Sequence, residues 1–85
     1  MGAYEEWQDA TVREDFAEAF QISLEILNRK GSKRLMEEWI DSCVEMLESM
    51  GKANLLPEHF RNLSVYGQRE ELNKIKELCL KEVRQ

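Results

Sequence analysis

Four of the chain's twelve basic residues fall within six consecutive positions, Arg29-Lys30-Gly31-Ser32-Lys33-Arg34. At the mouth of a helix such a knot can attract an anion, because free backbone N–H groups and the helix dipole already favour negative charge there. Two ligands fit: an acidic protein surface, or the phosphates of DNA, in which case the flanking helices form a helix-turn-helix with the second as reader. The DNA reading meets an obstacle at once, since Glu37, Glu38 and Asp41 follow and would face the same phosphates. Those acids, continued by Glu45, point to the opposite chemistry. Regularly spaced carboxylates on a rigid helix can imitate a phosphate backbone and occupy a basic groove on a partner. An ordinary solvated turn and helix face would produce both patterns too.

Catalytic chemistry lacks an inventory. There is no Gly-rich phosphate loop, no His-Glu-x-x-His, no Gly-x-Ser-x-Gly and no calcium loop, and the single histidine, His59, has no neighbouring partner for a triad. Glu37, Asp41 and Glu45 are spaced four apart and could in principle hold a divalent cation. Metal sites in helical bundles, however, gather inward-facing carboxylates and histidines from several helices, and these face outward. Cys43 and Cys79 fit neither a Cys-x-x-Cys nor a zinc-ligand spacing and read as buried thiols acting as small hydrophobes. The sequence thus predicts no enzyme, no cofactor and no metal.

Tyr4 and Trp7 lie three apart, so one helical turn places both rings on one side. They are either a lid packed on the core or an aromatic anchor for a partner, since Trp and Tyr are enriched at binding hot spots.

The elements that must position these residues are helical. Thr11 to Lys30 carries apolar residues at three-and-four spacing, Val12, Phe16, Ala19, Phe20, Ser23, Leu24 and Leu27, widened by Ile22 and Ile26 on one flank and Ala17 on the other. An arc this broad needs at least two neighbours. Thr11-Val12-Arg13-Glu14 matches a capping box and predicts the start of this helix, while Gly31, in a left-handed conformation, predicts its end. Ser32 then caps a second helix whose seam, Met36, Ile40, Cys43, Leu47 and Met50, is flanked by Leu35, Trp39, Val44 and Met46 and closed by Gly51. A short helix is expected from Asn54 through Pro57 to Leu63, with Val65 and Tyr66 plugging the end of the bundle. The last helix, starting after Ser64 or Gly67, presents Leu72, Ile75, Leu78, Cys79 and Val83 inward, with Glu70–Lys74 and Glu77–Lys81 pairs outside.

Together these predict an all-α fold, a small antiparallel helical bundle of three long helices plus one short helix, forming a single helical domain over residues 1–85. A hydrophobic fraction of 42% supplies a globular core, and 34% charged residues with one proline argue against low complexity. The net charge of −5 disfavours nucleic acid and anionic membranes as partners. It is unevenly distributed: residues 52–85 carry seven bases against five acids, so the last helix can lie against an acidic first half. Apolar runs are too short to span a bilayer, and Glu5, Glu6 and Asp9 leave no signal-peptide region, which predicts a cytoplasmic protein, or one in the host-cell cytoplasm if phage-encoded.

The function these features predict is a non-enzymatic protein–protein interaction module. It would be a small acidic regulator, adaptor or inhibitor, of a kind that suits a phage or mobile element disabling a host factor. Its candidate partner-binding residues are Arg29, Lys30, Lys33, Arg34, Glu37, Asp41, Glu45, Tyr4, Trp7, Ile22 and Ile26. A helix-turn-helix DNA-binding regulator using the basic turn is one alternative. A structural homo-oligomer, such as a homodimer joined through Ile22 and Ile26, is the other, because burying a side chain of that size gains about 1.5–3 kcal/mol.

Overall fold

The computed structural model describes residues 2–83, with side chains through residue 78. Four α-helices, α1 (Ala3–Val12), α2 (Phe16–Arg29), α3 (Lys33–Ser49) and α4 (Val65–Val83), are joined with two single 3₁₀ turns, Ala53–Leu55 and Phe60–Asn62. The fold is a small all-α bundle, as the periodicity predicts.

The broad apolar arc makes α2 the hub, in contact with α1, α3 and α4. Ala19, Phe20, Ile22, Ser23, Leu24, Ile26 and Leu27 are all buried. Ser23 is tolerated there because its hydroxyl is paired with that of Ser42 on α3 at 2.9 Å. On the α4 side, Asn28 and Asn73 exchange two side-chain hydrogen bonds of 3.0 Å. Ile22 and Ile26 retain only 7% and 3% of their exposure. Their flank is covered within the chain, which corrects their assignment as partner-binding residues.

One of the helices packed on α2 is concealed by the capping box. Thr11 is not a cap; it lies in the last turn of α1, where its hydroxyl donates to the Trp7 carbonyl at 2.8 Å. Ala3, Trp7 and Ala10 already form a stripe at helical spacing, with Ala10 fully buried. The chain turns only after it. Glu14 takes the left-handed conformation (φ 59°), with Glu14 N–H on the Thr11 carbonyl and Asp15 N–H on the Ala10 carbonyl, the two bonds of a Schellman closure. Asp15 then caps α2 by accepting from the Glu18 N–H at 3.2 Å. Arg13 bridges Asp9 and Glu18 across this turn at 2.9 and 2.8 Å, and those two carboxylates, Glu18 first, raise its pKa. Val12, expected inside, is 82% exposed on the outer side of this last turn.

Helix α3 follows its prediction closely. Ser32 accepts from the Leu35 N–H, Met36, Ile40, Cys43 and Leu47 are buried, and Gly51 closes the helix at φ 71° with Lys52 N–H on the Leu47 carbonyl at 2.8 Å. Gly31 behaves differently: α2 ends with Lys30 extended (ψ 138°), and no positive φ is needed for the chain to enter α3. The expected short helix over 54–63 is replaced by the two 3₁₀ turns, which bury Phe60.

Helix α4 starts directly after Ser64, whose hydroxyl accepts from the Gly67 N–H. Leu72 and Ile75 are buried as predicted. Leu78 and Tyr66, predicted inside, are half exposed, and Arg69 lies over the Tyr66 ring instead. Lys74 pairs with Glu71 rather than Glu70. The side chains of Cys79, Lys81 and Val83 lie outside the described residues.

Candidate partner-binding site

Four of the five acids of α3 line two concavities, Glu38 and Glu45 one, Glu37 the other, and Asp41 both. The first is a groove of about 350 Å³ between α1 and α3. Its aromatic wall is assembled from both helices. Trp39 of α3 stands nearly perpendicular to Trp7 of α1, with ring centroids 5.3 Å apart and an interplanar angle of 77°. It meets Tyr4 edge-on as well, at 5.4 Å and 66°. Offset and perpendicular aromatic pairs of this kind contribute about 0.5–1.5 kcal/mol beyond their burial. Trp39 is buried, whereas Tyr4 and Leu35 remain 51% and 39% exposed, so the groove presents apolar surface to solvent.

The indole Nε1 of Trp7 is buried without a hydrogen-bond acceptor. Leaving such a donor unpaired costs about 1–3 kcal/mol. The aromatic packing therefore offsets a polar penalty at the same spot.

Leu35, Glu38, Ser42 and Glu45 recur along α3 at three-four-three spacing, forming one stripe beside Trp39. Glu38 and Glu45 are exposed on this rim, and among the described residues neither is engaged by a cation. Lys30 places its ammonium 5.3 Å from the centre of the Tyr4 ring, a cation–π contact.

The second concavity, about 490 Å³, lies between α3 and the segment leading into α4. It is lined by Lys33, Glu37, Asp41 and Arg61 together with Ser64 and Gln68. Here two of the polar groups are engaged within the chain: Arg61 Nη1 meets Asp41 Oδ1 at 3.0 Å, and the buried Gln68 side chain donates to the Leu63 carbonyl at 2.8 Å.

The candidate residues are therefore sorted rather than gathered. Tyr4, Trp7 and Glu45 meet at the α1–α3 groove, Lys30 lies over the Tyr4 ring, Lys33 and Glu37 line the other cleft, and Asp41 lines both. Arg29 and Arg34 are exposed beside the α2–α3 turn and line neither concavity. The basic knot is consequently split, with Lys30 turned to an aromatic ring and Lys33 to the α4 side. Four residues of the groove, Leu35, Glu38, Trp39 and Ser42, were not foreseen as site residues. The signal for Leu35, Glu38 and Ser42 was the stripe at three-four spacing beside Trp39, which becomes meaningful only once α1 is a helix.

Compared with known proteins, the chain matches no family model. No curated protein and no solved structure is significantly similar to it.

The remaining reactive side chains lie elsewhere. Cys43 is buried, and burial pushes its thiol pKa up, which suppresses the nucleophilic thiolate. His59 is exposed in the turn before Phe60. Among the described residues no three His, Cys, Asp or Glu side chains converge as metal ligands, and no described helix is long and apolar enough to cross a membrane.

Proposed function

We propose that this protein is a non-enzymatic interaction module, a small acidic regulator, adaptor or inhibitor that binds another protein through the α1–α3 groove. The observation that carries this reading is the open Tyr4–Trp7–Trp39 cluster beside Leu35, bordered by uncompensated Glu38 and Glu45. Large amphipathic rings supply much contact area at small entropic cost, which is why Trp and Tyr dominate interface hot spots. Acids around them steer approach and exclude wrongly charged partners.

Affinity capture with the tagged protein from an extract of its native cells tests this reading. A retained protein, identified by mass spectrometry and shown to bind when purified, is the expected result. Retention of no protein overturns the reading. So does a salt-dependent shift of duplex DNA that disappears in Lys33→Glu/Arg34→Glu, which would move the function to the basic turn.

A further inference from the structure

We infer that the occupant of the α1–α3 groove is a basic amphipathic helix of a partner protein, with two Lys or Arg residues seven apart flanking a bulky apolar residue. This inference rests on the interaction reading above and names the partner's chemistry. A groove between two helices is shaped to receive the side-chain ridge of a third. No sheet edge is present among the described residues to recruit an extended strand. The stripe from Leu35 to Glu45 extends over about 15 Å at 1.5 Å per residue, roughly three turns of a partner helix.

Charge fixes the rest. Glu38 and Glu45 are seven residues apart, about 10.5 Å along α3, and two cations seven apart on a partner helix match that separation. Asp41, between them, is already bonded to Arg61, so it does not demand a third cation. The same interval on the partner holds positions three or four residues from each cation, on the same face, and an apolar side chain there falls between the acids, toward Trp39 and Tyr4. Lys30 lies over the Tyr4 ring and disfavours additional positive charge beside it. An acidic or uniformly polar helix meets repulsion from the rim and gains nothing from the rings.

The chain's two tryptophans both line this groove, so their emission reports its occupancy. The probe is a synthetic helical peptide free of Trp and Tyr, with Lys at two positions seven apart and Leu midway, titrated into the full chain at low ionic strength. The expected result is a saturable emission change, with affinity falling tenfold or more in Glu38→Lys/Glu45→Lys and falling with added salt. The counterpart peptide with Glu in place of Lys should give no saturable change. Circular dichroism confirms that the double variant is folded, and Tyr4→Ala, at a half-exposed position, gives a second and milder loss of affinity.

No saturable response to the basic peptide, equal affinity for the acidic one, or indifference to the Glu38/Glu45 reversal overturns the inference. An emission change that follows protein concentration together with dimerisation in light scattering also overturns it, in favour of a second copy as occupant. A purified partner that binds the wild type and the reversed variant equally would defeat the groove assignment while leaving the interaction reading intact. The absence of any protein partner would remove that reading itself.

Discussion

Along α3 the same acidic sequence meets two different neighbours. On the α4 side Asp41 is held by Arg61, and Gln68 is spent on the Leu63 carbonyl. On the α1 side Glu38 and Glu45 border three aromatic rings, and among the described residues no cation is set against them. The two concavities therefore differ in what borders their acids, an ion pair on one side and aromatic rings on the other. An exposed ion pair gains little from further contact, because its charge is already compensated and screened. An uncompensated acid next to half-exposed apolar surface can gain both a charge partner and burial. Acidic density alone therefore does not mark a binding surface; the neighbours of the acids decide which side has capacity left.

Substitutions on each side test the contrast. The largest effect is expected at Trp39→Ala, which removes the ring shared by Tyr4 and Trp7 and should destabilise the fold by about 3–5 kcal/mol in urea unfolding monitored by circular dichroism. A smaller value would mean that the aromatic wall is not part of the core. Next comes Glu38→Lys/Glu45→Lys. This change should weaken the basic peptide or partner at least tenfold, about 1.4 kcal/mol, in a fluorescence titration, with the unfolding midpoint nearly unmoved. Glu37→Lys, on the α4 side, should affect binding much less, and an equal loss would erase the distinction between the sides.

Gln68→Ala should cost about 1 kcal/mol of stability, because the half-buried Leu63 carbonyl loses its donor, and leave peptide affinity unchanged. The smallest effect is expected at Arg61→Ala. With both partners of its ion pair more than half exposed, the loss should stay below about 1 kcal/mol by the same unfolding measurement.

Helix α3 was legible from its residues because each signal is local: Ser32 at its start, the seam through Met36, Ile40, Cys43 and Leu47, and the left-handed Gly51 at its end. The boundary between α1 and α2 was not. Thr11-x-x-Glu14 and Asp15-x-x-Glu18 both have the form of a helix start, and the choice between them is made by packing. Trp7 gains Trp39, a residue distant in sequence, only if the first helix continues through Thr11. The same ignorance of α1 left Ile22 and Ile26 looking uncovered. The width of the arc was readable, but not the helix that fills it.

The site was legible to a similar degree. Tyr4, Trp7 and Glu45 stood out by residue type and spacing. Trp39, Leu35 and Glu38 sit on an ordinary amphipathic helix, and nothing local says which of its flanks meets a neighbour. Gly31 illustrates the converse: a glycine where a helix ends invites a left-handed conformation, yet an extended Lys30 makes the reversal without it.

Because Tyr4 and Trp7 come from α1 while Trp39 and Leu35 come from α3, the groove exists only in molecules whose first helix is docked. Each transient undocking of that ten-residue segment abolishes the site. By mass action, a molecule held in the groove draws the population toward the docked form, and the backbone amides of α1 must then exchange their hydrogens more slowly with solvent. Protection of residues 3–12 is thus an occupancy gauge written into the amino-terminal helix itself.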